Sequence, residues 1–223
     1  MRILVGISGA SGAVFAVDFL KRCPGEKYLV VSDWGKALLK DELDMSYKDL
    51  APYVEATFRD NDLAAPFSSG TNRYDAYIIL PCSASTLAKI AFGIGDTLIT
   101  RSAQVALKER MRLILCVRET PLSTGMLENA LKVSREGAII APVMPPFYHR
   151  PETIEEMVAG YTKKLLPLVG ANAGPGWRAD LLGSGDASGS GRGSFGGRPT
   201  EDPGDEPRPR IEYDPDSTMH EME

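Results

Sequence analysis

The chain reads as an α/β protein built on a doubly wound parallel sheet. Three observations predict this. Short, continuous apolar runs recur between turn residues, as in strands covered on both faces. Amphipathic stretches of helical length separate those runs, and such alternation implies parallel strands with crossover helices. The pattern stops near Gly170, where composition shifts to Gly/Ser and then to Pro and acid. The expectation is one Rossmann- or flavodoxin-like domain over 1–177 and a disordered tail over 178–223.

The elements follow in order. RILVGIS at 2–8 is the first strand, and GASG then turns the chain into a helix over 12–22. KYLVVS at 27–32 is the second strand, followed by a helix over 34–42. AYIILP at 76–81 is the third, with helices over 84–92 and 100–110 behind it. RLILCV at 112–117 precedes a helix over 123–135, and AIIAPV at 138–143 is the last strand. The final helix, 153–168, carries Ile154, Met157, Val158, Tyr161, Leu165 and Leu168 on one stripe. Thr153 and Glu156 have the spacing of its capping box.

Composition excludes several classes. The 223 residues, 43% hydrophobic, support one sizeable core. No apolar stretch approaches the about 20 residues of a membrane helix, and the start, MRILVGIS, lacks the pattern of a secretory leader. Five arginines against eleven acids beyond residue 170 leave a body with 20 basic and 19 acidic residues. A near-neutral body has no nucleic-acid footprint. Cys23, Cys82 and Cys116 are odd in number and far apart, which fits neither disulfides nor a metal pair and places the chain in the cytoplasm.

Polar groups converge at one edge of this sheet. In SGASG, the glycines allow close backbone approach, and Ser11 stands where the next helix starts, so its free amides and dipole favour an anion such as phosphate. The plain alternative is a tight turn with nothing bound. Ser32 ends the second strand, PCSAST (81–86) follows the third, Arg118-Glu119-Thr120 ends the fourth, and PPFYHRP (145–151) follows the fifth. In a doubly wound sheet these positions share the edge where ligands bind.

GISGASGAVF, LPCSASTLAKIAFGIGDTLITRSAQVALKER and LCVRETPLSTGMLENALKVSREGAIIAPVMPPFYHRPETIEEMV closely resemble the UbiX-type flavin prenyltransferases, within the homo-oligomeric flavin-containing cysteine decarboxylase-like group. The resemblance covers about residues 1–170; TR-x-A-x-VALKER, VRETPL and PPFYHRP are its most specific segments. It implies a metal-free enzyme that joins the five-carbon group of dimethylallyl monophosphate to N5 and C6 of FMN. The product, prenylated FMN, passes to a UbiD-type decarboxylase. The assembly it implies is a dodecamer, with no nucleic acid or membrane involved.

Carried over residue by residue, FMN placement falls to Gly9, Ala10, Ser11, Ser32, Ser83, Ala84, Ser85, Thr86 and Arg118. The alternative for Ser32 and Ser83 is capping of the helix that follows. The prenyl phosphate falls to Arg101, Lys108, Tyr148 and Lys164; for a lone cation the alternative is a solvated helix face. Arg101 and Lys108 are two turns apart and so share a face. Some relatives carry arginine at position 164, and lysine keeps that charge without the bidentate fork. Glu119 is the expected base for the flavin proton, Ser11 a donor to the bridging oxygen, and Glu42 an assisting carboxylate whose alternative is a surface glutamate in KDELD. Leu63 stands where some relatives have an aromatic over the prenyl group. Cys82, behind an apolar strand, reads as a small buried residue rather than a nucleophile, and His149 as structural or gating.

Two rivals carry different chemistry. FMN-dependent decarboxylases of cysteinyl substrates on this scaffold use a histidine in the first helix, and AVFAVDFLKR has none. A non-catalytic flavin carrier has no need of Arg101, Lys108, Glu119 and Tyr148 together.

Overall fold

The computed structural model describes residues 1–174; the last three residues of the expected domain and the tail expected over 178–223 lie outside them. Six parallel strands form one sheet: β1 (Arg2–Ile7), β2 (Glu26–Val31), β3 (Ala56–Arg59), β4 (Ala76–Cys82), β5 (Arg112–Val117) and β6 (Ile139–Ile140). Their order is β3-β2-β1-β4-β5-β6, the doubly wound Rossmann order, with its switch point between β1 and β4.

The helices are α1 (Ala13–Arg22), α2 (Asp33–Leu43), α3 (Ala84–Ala91), α4 (Leu98–Lys108), α5 (Thr124–Arg135) and α6 (Ile154–Leu168). On one face of the sheet, Phe15, Phe19 and Leu20 of α1, Leu39 of α2 and Tyr161 and Leu165 of α6 pack on Ile3, Val5, Ile7, Ile78 and Cys116. On the other, Leu87 of α3, Ile99 and Val105 of α4 and Val133 of α5 pack on Leu4, Tyr77, Ile79 and Leu115. Burial on both faces is why β1, β4 and β5 carry continuous apolar runs.

Four expectations are corrected. A sixth strand exists, β3, whose four residues are alternately half-buried and exposed at the sheet edge, so it gave no continuous apolar run. The last strand is two residues long rather than six: it lies at the sheet edge, and past Ile140 only alternate amides reach β5, Ala141 N donating to Leu115 O at 3.0 Å and Val143 N to Val117 O at 2.9 Å, while the missing N–H of Pro142 faces away from the sheet. Ile154 is 67% exposed, and Val158, Tyr161, Thr162, Leu165 and Leu166 form the buried stripe of α6. Half of its capping box forms: Thr153 Oγ1 accepts from Glu156 N at 3.1 Å, while Glu156 Oε2 takes Glu152 N at 2.7 Å, one residue before the cap.

Candidate functional site

A ladder of backbone bonds joins the four central strand ends. Ser32 N donates to Ile7 O at 3.0 Å, Ser8 N to Pro81 O at 3.2 Å, and Arg118 N to Cys82 O at 3.2 Å. The loops after β2, β1, β4 and β5 therefore stand side by side. Ser8 fastens the switch point: its hydroxyl donates to Pro81 O at 2.9 Å and accepts from Ser83 N at 2.8 Å. Ser8 is 2% exposed and was not singled out by sequence; a lone serine after a strand carries no signal of which neighbouring loop it will bond.

The Gly/Ser turn meets the expectation in part. The helix begins at Gly12, with φ 110°, so Gly12 rather than Ser11 is the N-cap. The amides of Gly12 and Ala13 are occupied by the Glu42 carboxylate of α2, at 3.0 and 3.1 Å for Gly12 and 2.8 Å for Ala13. The anion on the α1 dipole is thus a side chain of this chain. Glu42 and Ser11 come together as a result. Among the described residues, the amides of Gly9 and Ser11, just upstream, have no intramolecular acceptor.

Gly9 is demanded by Trp34, because a Cβ at position 9 would stand 2.5 Å from Trp34 Cβ. Trp34 is 77% exposed beside this loop, a second residue that sequence reasoning passed over. Position 63 has no aromatic ring; Leu63 is 47% exposed.

Ser32 and Ser83 cap the helices that follow them. Ser32 Oγ accepts from Gly35 N at 3.0 Å and Ser83 Oγ from Thr86 N at 3.2 Å. Capping uses the acceptor side of each hydroxyl. The first-turn amides of Ala84 and Ser85 have no carbonyl four residues earlier within α3 and open onto the same edge. Free amides of Gly9, Ser11, Ala84 and Ser85, with the hydroxyls of Ser11, Ser32 and Ser85 and the exposed Arg118, make a donor-rich, open rim. That donor set fits a flavin ring edge and a phosphate.

Glu119 lies at the end of β5, its Oε1 accepting from Thr120 N at 3.0 Å. Arg118, Glu119 and Thr120 line a cavity of about 260 Å³ with Leu87, Met126 and Met144. Met144 also borders an open groove of about 1310 Å³ that holds Tyr148, His149 and Lys164. The base candidate and two phosphate candidates thus meet across one methionine. Another concavity, about 880 Å³, lies where the strands begin and is lined by Met1, Arg2, Asp75 and Arg112; it is at the wrong edge for a doubly wound ligand site.

Arg101 and Lys108 stand apart within one chain. Arg101 Nε, in the first half of α4, donates to Ser68 O at 3.2 Å. Lys108 ends that helix, about 10 Å further along its axis, and pairs with Glu109. The 3-residue turn Glu109–Met111 then enters β5, so Lys108 sits at the edge where strands begin. The fold of one copy does not bring Lys108 to the rim.

Cys82 is 0% exposed, and burial pushes its thiol well above the usual range. Cys116 is pushed up to about 12 by the same cause, opposed by a bond from Tyr161. Thiols held protonated are poor nucleophiles, in line with the packing role expected of Cys82.

The flavoprotein family model matches residues 1–163. The flavin prenyltransferase UbiX of Thermoplasma acidophilum is 47% identical over 171 residues, covering 76% of this chain and 95% of that protein. The chain belongs to the UbiX-type flavin prenyltransferase family. The flavin prenyltransferase LpdB of Lactiplantibacillus plantarum is 44% identical over 74% of this chain and 90% of its own length. Among solved structures, AnUbiX (PadA1) in complex with FMN and dimethylallyl pyrophosphate superposes with a TM-score of 0.76 at 40% identity, covering 79% of this chain and 98% of that one. A dodecameric FMN-dependent UbiX-like decarboxylase from Escherichia coli O157:H7 gives 0.72 at 40% identity, over 75% and 93%. UbiX relatives thus share the described body throughout, and the rim described above lies within it.

Proposed function

We propose that this flavin prenyltransferase transfers the five-carbon group of dimethylallyl monophosphate to N5 and C6 of reduced FMN. The observation that carries the reading is the bonded series of strand ends, Ser32–Ile7, Ser8–Pro81 and Cys82–Arg118, which sets the rim's donors beside Glu119.

FMN is the acceptor substrate and supplies the two nucleophilic atoms. Backbone amides of Gly9, Ser11, Ala84 and Ser85 and the hydroxyl of Ser32 hold it; Ala10 and Thr86 complete the two loops, and Arg118 lies along its edge. Tyr148 and Lys164 receive the prenyl phosphate. As the C–O bond of the donor breaks, Ser11 donates to the bridging oxygen, and charge-assisted bonds stabilise the departing phosphate. Glu42, fixed on the same helix start, orients that end of the site. Glu119 takes the proton that C6 loses on ring closure. Trp34 supplies an aromatic surface beside the Gly9 loop that Leu63 does not.

Arg101 and Lys108 act from a neighbouring copy in a homo-oligomer, for which we propose the dodecamer. Trp34, Phe92, Leu127, Leu131, Met144 and Phe147 are each more than half exposed in one copy, the large apolar area that association buries. Monophosphate is the donor we assign, although the solved relative holds the pyrophosphate. The working compartment is the cytoplasm, where three buried free thiols stay reduced, and the recipient is a UbiD-type decarboxylase. No helix among the described residues is long and apolar enough to cross a membrane. Residues 1–177 carry the chemistry.

The test is anaerobic incubation with reduced FMN and dimethylallyl phosphate, then mass analysis of the flavin. Addition of one C5 unit is expected, with a loss of at least about 100-fold in rate for Glu119→Gln. Unmodified FMN recovered from tightly bound complex would replace the enzyme with a carrier.

A further inference from the structure

The loop that bears Tyr148 is fastened to α6 at two adjacent positions. At its base, the Tyr161 hydroxyl lies 2.9 Å from Ala141 O and 3.0 Å from Pro142 O. Near its tip, the His149 ring rests on the bare backbone of Gly160. A Cβ at position 160 would lie 2.3 Å from His149 Cε1 and 2.4 Å from Nε2. Glycine in a helix interior costs about 1 kcal/mol relative to alanine, and this one has the space of a side chain filled by the imidazole. At the tip the loop closes on itself around Tyr148 and His149, with Arg150 N donating to Phe147 O at 2.9 Å and Arg150 at φ 52°.

The contact has a consequence for Tyr148. Its ring meets the His149 ring edge-on, with centroids 5.7 Å apart and planes at 81°. On α6, Lys164 lies one turn beyond Gly160 and so shares its face. Tyr148, His149, Gly160 and Lys164 border one groove.

We infer that His149 and Gly160 are positioning residues: the imidazole seated on the glycine holds Tyr148 over α6, so that Tyr148 and Lys164 converge on a single phosphate. This rests on the functional reading above. Neither residue touches the reacting atoms. His149 is itself exposed, so unseating its ring disturbs the loop and leaves the core of α6 intact. Misplacement of a binding group by about 1 Å costs up to about 100-fold where geometry matters, so a mid-range loss of about tenfold is expected.

The full-length chain, loaded with FMN, is titrated calorimetrically with dimethylallyl phosphate. Gly160→Ala is expected to weaken that binding about tenfold, with FMN affinity held and the thermal midpoint not lowered. In a His149→Ala background, where the methyl has room, the same substitution changes affinity by less than about twofold. Full affinity in Gly160→Ala, an equal loss in both backgrounds, or a parallel loss of FMN would each overturn the seat. A wild-type chain that binds FMN but no dimethylallyl phosphate sinks the functional reading itself. Wild-type binding with an unaffected Gly160→Ala sinks only the seat.

Discussion

The Glu42 carboxylate closes the start of α1, its Oε2 accepting the Ala13 amide at 2.8 Å while both oxygens share the Gly12 amide. The helix has no side-chain cap of its own, because Gly12 occupies the N-cap. A carboxylate 29 residues away does that work across two helices. Charge on the helix dipole and two satisfied amides together are worth about 1 kcal/mol at a solvent-facing site. Glu42→Gln is therefore expected to lower the thermal midpoint by about 3 °C and to slow prenyl transfer more than it weakens FMN binding. An unchanged midpoint in thermal unfolding would show that the bond carries no stability.

The three cysteines are expected to be silent. Cys23 is pushed up to about 11 by burial, offset by the charge of Lys27, and all three thiols are buried. A chromogenic disulfide should titrate none of them in the native protein and all three after denaturation. Cys82→Ala should still form the prenylated flavin. Loss of product with FMN binding retained would restore Cys82 as a participant.

Lys108 lies at the far edge of the sheet from Glu119, so the two serve one site only if they come from different copies. Lys108→Ala and Glu119→Gln proteins are each expected to be inactive. Co-expressed as mixed oligomers, they should recover part of the activity, because some sites then hold both native residues. Activity that stays absent in verified mixed oligomers would place Lys108 outside the phosphate site.

Asp60 follows β3 and binds the start of α4: its carbonyl accepts Leu98 N at 2.6 Å and its Oδ1 accepts Ile99 N at 2.9 Å. Burial raises its carboxyl above the ordinary value, against the bonds from Ile99 and Thr97. A raised acid means that the folded state holds the proton more tightly than the unfolded one. Its contribution is thus present at low pH and is lost as pH rises through the folded value. Asp60→Asn keeps an acceptor for Ile99 without that penalty. Relative to wild type, its thermal midpoint should improve as pH rises above the unfolded carboxyl value, about 4, and level off once the folded value is passed. A difference that stays flat across this range would show that Asp60 titrates as it does in water.

Much of this protein was legible from its residues. Apolar runs such as RILVGI and AYIILPC mark strands because both faces of the sheet are covered, and that burial is a local compositional fact. The doubly wound plan then sends Ser32, Ser83 and Arg118 to one edge, since each ends or follows a parallel strand. Short-range pattern missed β3, whose pairing with β2 depends on a partner 28 residues earlier, Tyr28 with Ala56. Tertiary structure alone decided that Glu42 occupies the anion seat of α1, that Ser8 ties the two switch-point loops, that Trp34 forces glycine at position 9, and that Lys108 leaves the rim. Each is a contact between side chains or loops distant in sequence. Periodicity reports which side of an element is covered, whereas the identity of the covering group is fixed only when the elements pack.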